Sequence, residues 1–544
     1  MKEEIGYLSL VLHAHLPFVR HPDHESHLEE RWLYEAMTET YIPLLNHFQD
    51  LREEGAEYRL TMSLTPPLLS MLSDPLLQYR YGVHIGKLVD LAAAEVERTA
   101  DNRLLNKSAR LYLERFKRAN ETFEKYDGNL INGFKSFQDS GELELITCGA
   151  THGYLPLMKQ YPEAVRAQIE VAIETHQQHL GKAPRGIWLP ECGYYPGVEN
   201  ILEEYGLRFF VVDTHGILYA EPRPRYGVFA PIYVGQSRVA AFGRDNTSSK
   251  EVWSSKEGYP GDHDYREYYR DIGFDLPLDY VKEYTGQDEL QVNTGIKYHK
   301  ITDDDCKLEN KELYDPEVAL ARAAEHAKDF VHKRTEEVKE LSEFMDRKPL
   351  LLSPYDAELF GHWWYEGPDF INNLIREVAF NQSELELVSP IDYLAEYPVN
   401  QLCQPPSCSW GEGGYHDVWL EDNNDWIYRH LHKAAERMTE LATKFKEVDH
   451  LTERALNQAA RELLLAQSSD WAFIMKTETM VEYAVYRTKA HVSNFSDLYE
   501  QIKSQSIDEE MLSDLEAKNN LFPELDYRVY SREYKSEVSR IIKY

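Results

Sequence analysis

The sequence predicts a parallel α/β architecture, either a barrel or a doubly wound sheet, followed by a helical domain. Short apolar runs alternate with amphipathic helical stretches over the first 400 residues. Several of those runs are continuously apolar rather than alternating, as strands covered on both faces require. After about residue 396 the pattern turns helical. With 544 residues there is length for a large barrel and a second core.

Strands are expected at residues 7–12, 58–64, 143–147, 186–189, 209–213 and 349–353. The opening MKEEIGYLSLVLHAHLP has an acidic start and a short apolar run, so it reads as a buried first strand rather than a signal peptide. Residues 162–180 form a helix with an acidic first turn and a stop at Gly181. The charged run from about residue 95 to 141 reads as a small helical insertion. Residues 243–294, rich in Tyr, Gly, Asp and Arg, lack periodicity, and their aromatic content argues for a functional segment rather than disorder. A Pro/Cys/Gly-rich link, NQLCQPPSCSWGEGGYH, leads into helices at about 423–446 and 451–468, the second continuing beyond Ser469 into another.

The balance of 59 Lys+Arg against 93 Asp+Glu gives a net charge of -34. Such a surface repels nucleic acid but not a neutral polymer such as a glucan. No run reaches the roughly 18 apolar residues of a membrane span. Cys148, Cys192, Cys306, Cys403 and Cys408 are odd in number and read as free thiols of a reducing, cytoplasmic compartment. Too few further donors lie near Cys403 and Cys408 for a zinc knuckle.

Four polar clusters follow apolar strands: HAHLP (13–17), TCGATHGY (147–154), WLPECGYYPG (188–197) and SPYDAELFGHWWYEGP (353–368). In a parallel barrel the carboxyl ends of the strands share one face, so these clusters converge. Glu191 and Asp356 are carboxylates flanked by bulky apolar residues. They suit retaining glycosidic chemistry, one attacking the anomeric carbon while the other protonates the leaving oxygen. An ionised neighbour helps the acid keep its proton; capping a helix N-terminus is the other role open to each. His13 and His15 project to one side of a strand, with His152 and His362 on other strand ends. Metal ligation, sugar hydrogen bonding and a structural role all remain open for them. Trp253, Trp363, Trp364, Trp410, Trp419 and Trp426 lie mostly in Gly-rich or acidic contexts, where a flat ring can stack on a pyranose or belong to the core. Arg244, Asp245 and Asp470 add groups able to bind hydroxyls or to form salt bridges.

Together with SWGEGGYHDVW (409–419) and SSDW (468–471), these clusters resemble the five ordered motif regions of glycoside hydrolase family 57. Residues 252–276 resemble its 1,4-α-glucan branching enzymes in particular. The resemblance implies an incomplete (β/α)7 barrel at 1–95 and 142–395, a small helical insertion at 96–141, and a C-terminal helical domain at 396–544 that closes over the cleft. It places the nucleophile on Glu191 and the acid/base on Asp356. Substrate contacts fall on Arg244, Gly261, Trp410 and Asp470, with Trp253 and Trp419 lining the same cleft and His13 and His152 beside it. It implies no metal or other cofactor, an α-1,4-glucan substrate, and a monomer or small homo-oligomer. One departure stands out: residues 213–244 are short for a branching enzyme, whose tyrosine-tipped loop there shields the intermediate from water. Only Tyr219, Tyr226 and Tyr233 are available, and a truncated loop favours hydrolysis. The alternatives are an α-amylase-like hydrolase or 4-α-glucanotransferase of the same family, a zinc hydrolase such as an α-mannosidase or polysaccharide deacetylase, and a glucan-binding protein with a dead site.

Overall fold

β1 (Gly6–Ala14) is buried at every position, the consequence of a continuous apolar run covered on both faces. The computed structural model describes residues 4–533 apart from Ser26, Gln287, Asp288, Asp304 and Arg532. Further strands follow as β2 (Leu60–Leu64), β3 (Leu143–Ile146), β4 (Gly186–Ile187), β5 (Phe209–Val212), β6 (Ile232–Val234), β7 (Ala240–Gly243), β8 (Leu350–Asp356), β9 (Leu385–Leu387) and β10 (Leu402–Cys403). One five-stranded sheet runs β3-β2-β1-β8 with β9 also on β1, and a second runs β10-β6-β7-β5-β4. All pairs are parallel except β6 with β7. The expected α/β alternation is therefore present, but the ladder divides between two sheets.

Single bonds span the junctions. Thr147, just past β3, bridges Ile187 of β4 in parallel, and Asp245 N–H, just past β7, donates to Leu352 O of β8 at 2.8 Å. The register of β1 sets His13 opposite Ser63 on β2 and opposite Asp356 on β8. Pro354 can sit inside β8 because that strand is the edge of its sheet, with no ladder partner for the missing N–H.

The helix Pro162–Leu180 ends at Gly181, whose φ of 76° is the left-handed stop the sequence announces. Position 95 lies inside the helix Pro75–Arg98, which pairs with Arg103–Lys125. The composition change near 95 thus falls within a helix, not where an element starts. Residues 243–294 are less irregular than expected. They contain Asn246–Trp253, Tyr259–Gly261, Ile272–Asp275 and Leu278–Thr285. The buried Asp271 carboxylate accepts from the N–H groups of Gly273, Thr294 and Gly295 and from the Thr294 hydroxyl, which orders a segment with no apolar period. The C-terminal region is helical, with Trp426–Lys444, His450–Ala466, Ser469–Thr477, Val481–Ser504 and Glu509–Lys518. Among the described residues no helix is long and apolar enough to cross a membrane, and all five cysteines are unpaired.

Candidate active site

A cleft of about 1070 Å³ is lined by His13, His15, His152, Glu191, Arg244, Asp356, Glu358, Trp410 and Asp470. They come from β1, from the ends of β8 and β7, from the turns after β3 and β4, and from the C-terminal segment. The convergence expected at strand ends is thus observed.

Glu191 sits in a turn with φ 60° and ψ 25°, and Cys192 follows at φ 49°. Left-handed backbone at non-glycine residues costs about 1–2 kcal/mol each. Surrounding bonds hold the turn: Cys192 N–H donates to Leu189 O at 2.8 Å, Gly193 N–H to Pro190 O at 2.9 Å, and Trp410 N–H to Glu191 O at 3.1 Å. His152 is likewise left-handed, at φ 58°, and its carbonyl accepts from Ser469 N–H at 3.0 Å. Both strained turns are therefore clamped by backbone donors from beyond residue 400.

The side chains repeat this pairing. Trp410 Nε1–H donates to Glu191 Oε2 at 2.9 Å, and the Ser469 hydroxyl donates to Glu191 Oε1 at 3.0 Å. Burial pushes the Glu191 carboxyl above its usual range, the Trp410 and Ser469 bonds pull it back, and Asp470 adds to the rise. Asp356 is pushed much further. Burial raises it well above the ordinary carboxyl range, and nearby Glu358 and Glu191 add to this against only Arg244. Two carboxyls with different surroundings divide into an anion held by donors and an acid kept protonated.

The histidines form a charged and a neutral group. His15 Nε2 lies 3.0 Å from Asp470 Oδ1, and its Nδ1 bonds Thr65 Oγ1 at 3.0 Å. Burial alone would lower His15, but Asp470, Glu358 and Glu191 raise it overall. Asp470, despite burial, is pulled down to about 2 by His15 and by the Ser468 hydroxyl. His13 and His152, 3.0 Å apart at their Nε2 atoms, are both driven well down by burial and by neighbouring imidazoles. Two donor sets have the spacing of a metal site, His13 with Cys148 and His152, and His15 with His152 and Asp470. In the second set every ring nitrogen already has a protein partner: His15 holds Thr65 and Asp470, and His152 holds Ser469 and His13.

The tryptophans divide by environment. Trp253 is 46% exposed, and its ring lies 6.3 Å from that of Trp410, so the two form an open wall. Trp419 lines the cleft but is 1% exposed and stacks on Tyr154 at 4.3 Å, which makes it a rigid backing rather than an open face. Trp364 is core, packed against Tyr265, Phe360 and Phe370, and Trp426 packs among the C-terminal helices. Gly261 does not line the cleft. It closes the turn Tyr259–Gly261, where a Cβ would collide with the Ser255 carbonyl, and borders a separate hollow of about 570 Å³ with Asp262, His263 and Lys333. That close approach accounts for its being glycine.

Tyr219, Tyr226 and Tyr233 also lie away from the cleft. Tyr219 is 58% exposed, Tyr226 donates to Asp346, and Tyr233 donates to Pro398 O. Arg244 is the one member of 213–244 that lines the cleft among the described residues. It sits 3.5 Å from Asp213, and its buried Nε has no hydrogen-bond partner among the described residues.

Two contributors escaped sequence reasoning. Glu358, buried and raised by burial, accepts from His15 N–H at 3.1 Å and from the Tyr41 hydroxyl. Its place two residues after Asp356 was the available signal. Ser469 lies in the SSDW motif, but nothing in the sequence tied it to Glu191, 278 positions away.

Residues 9–406 match the model of glycosyl hydrolase family 57, and residues 430–530 match that of the C-terminal region of 1,4-alpha-glucan branching enzyme. A 1,4-alpha-glucan branching enzyme of Thermococcus kodakarensis is 33% identical over 99% of this chain and 80% of its own length. Among solved structures, an alpha-amylase of Thermotoga maritima, AmyC, is 47% identical with a TM-score of 0.91, covering 97% of this chain and 100% of its own. A branching enzyme of Pyrococcus horikoshii is 32% identical with a TM-score of 0.87, covering 98% of both chains. With the family model matched over most of its length, the chain belongs to glycosyl hydrolase family 57.

Proposed function

We propose that this protein is a 1,4-α-glucan branching enzyme, cleaving α-1,4 bonds and transferring the released chain to a 6-hydroxyl with retention. The observation that carries the chemistry is the contrast between its two cleft carboxyls. Both Glu191 oxygens accept from fixed donors, whereas Asp356 is buried beside two other carboxyls. In the first step Asp356 gives its proton to the glycosidic oxygen while Glu191 attacks the anomeric carbon. The bond to the leaving chain breaks and a glycosyl ester forms. In the second, the Asp356 carboxylate takes the proton of an incoming 6-hydroxyl, whose oxygen attacks the anomeric carbon and frees Glu191. Arg244, whose Nε has no partner among the described residues, and the Trp253–Trp410 wall supply sugar contacts, and the His15–Asp470 pair lines the cleft beside them.

The strand succession β8, β1, β2, β3, β4, β5 and β7, joined across Thr147 and Asp245, supports an incomplete (β/α)7 barrel. The unpaired thiols fit a reducing cytoplasm, and the substrate class fits glycogen synthesis. The similarity to branching enzymes over nearly the whole chain supports transfer. A second reading, α-amylase-like hydrolysis, is favoured by the absence of Tyr219, Tyr226 and Tyr233 from the cleft and by the likeness to the alpha-amylase of Thermotoga maritima. An imperfect water seal predicts branching accompanied by hydrolysis. Proton NMR of amylose treated with the enzyme should show the α-1,6 anomeric signal, with reducing ends also released. Reducing ends without that signal would make the protein a hydrolase.

A further inference from the structure

We propose that Trp363, stacked on Tyr268, is the glucosyl platform of the acceptor side of the cleft, so that it governs how the glycosyl-enzyme divides between water and a second chain. The inference rests on the transfer reading above. Two aromatic pairs among the residues that line the cleft concern its two ends of chemistry. Trp253 and Trp410 stand beside the nucleophile, since Trp410 bonds Glu191 directly. Trp363 stands on the segment that leaves Asp356, and Tyr268, from the 243–294 stretch, stacks against it.

Adjacent indoles in that segment have opposite fates. Trp364 is 2% exposed and anchors the loop in the core, whereas Trp363 is 57% exposed and lines the cleft. An indole this exposed contributes little to folding, yet its position is built. Its ring stacks on that of Tyr268 with centroids 4.8 Å apart and planes at 22°. Tyr268 is fixed in turn: its hydroxyl bonds His362 Nε2 at 3.2 Å, His362 Nδ1 bonds Glu39 at 2.7 Å, and Lys297 Nζ lies 4.4 Å from the tyrosine ring centroid. Gly361, at φ 119°, lets the loop turn against Glu39, whose carbonyl a Cβ would strike. The result is a flat apolar face, held in one orientation at the edge of a polar cleft, which matches the C–H face of a pyranose.

Its side of the cleft follows from the chemistry of Asp356. That group protonates the chain that leaves and deprotonates the hydroxyl that arrives, so its wall faces the leaving and accepting chains. Fixing the acceptor is what lets a sugar hydroxyl compete with water.

The test uses α-maltosyl fluoride, which forms the glycosyl-enzyme without needing a proton on its leaving group. Added maltohexaose then competes with water for the common intermediate. Chromatography of the products gives the transfer-to-hydrolysis ratio for wild type, Trp363→Ala and Trp363→Phe. The alanine variant should lower the ratio about tenfold and raise the half-saturating maltohexaose concentration, while phenylalanine, which keeps a ring, should retain most of both. Should the alanine variant not accumulate, Trp363→Leu, which fills space without a flat face, takes its place. An unchanged ratio overturns the inference, as does an equal loss in the phenylalanine variant or a slower donor turnover at constant ratio. Wild type giving no transfer product sinks the transfer reading itself, a separate outcome.

Discussion

Trp410→Phe removes a bond of the nucleophile. A phenyl ring keeps part of the aromatic surface, and the Nε1–H that donates to Glu191 Oε2 at 2.9 Å is lost. That bond favours the ionised carboxylate, so its loss raises the Glu191 pKa. A hydrogen bond to a charged group contributes about 1.5–3 kcal/mol, and one pKa unit corresponds to about 1.4 kcal/mol. The Ser469 hydroxyl still holds Oε1 and Trp410 N–H still holds the backbone, so the lower end of that range applies. The acid limb of kcat/KM should therefore move up by about one pH unit. Activity above that limb should change less, because the carboxylate is ionised there in both proteins. The assay is the pH dependence of kcat/KM on a maltooligosaccharide, followed by reducing-end release. An acid limb at the same pH in both proteins would show that Glu191 is not the group titrating there, or that the indole does not tune it.

Asp356→Ala should abolish turnover of natural glucans yet spare formation of the glycosyl-enzyme from an α-glycosyl fluoride, and azide should restore turnover; equal loss on both donors without rescue would remove Asp356 from the acid/base role. Asp470→Asn should lower the thermal midpoint through loss of the His15 pair, with a sign that depends on pH. His15 is raised, so the pair's contribution is full below the unfolded histidine value of about 6.5 and fades as pH rises through the higher folded one. Asp470 is depressed to about 2, so its contribution is present above the unfolded value of about 3.9 and is lost as pH falls through the folded one. The difference in melting temperature should thus be largest between about pH 4 and 6.5; a difference independent of pH would contradict the charged pair. Trp253→Ala, at a half-exposed position, should leave stability within about 0.5 kcal/mol of wild type by denaturant melts and weaken use of long chains more than short ones.

The strands were legible because burial on both faces writes itself as largely apolar sequence without alternation, as in β1 and in the Leu350–Leu352 start of β8. The carboxylates were legible because each follows such a run. Their division of labour came only from the family resemblance; its physical cause was not legible, since it depends on Trp410 and Ser469 arriving from 219 and 278 positions away. The resemblance sets Gly261 among the substrate contacts, and packing adds what its motif did not tell: a backbone approach to the Ser255 carbonyl beside a separate hollow. Trp419 and Trp253 occupy similar contexts in sequence, yet one is sealed behind Tyr154 and the other is open, a difference decided by packing alone. The split of the ladder into two sheets was equally out of reach, because it turns on whether single bonds such as Thr147 to Ile187 extend into a ladder.

The account stands most directly on the covalent bond that Glu191 is held to make. Brief reaction with a 5-fluoro-α-glucosyl fluoride, which slows release of the intermediate, should add one glycosyl group per chain. Peptide mass spectrometry should place it on the Glu191 carboxyl within WLPECGYYPG, and Glu191→Gln should take up none. A label on Asp356, or full turnover with no label and inverted product, would contradict the proposed chemistry at its centre.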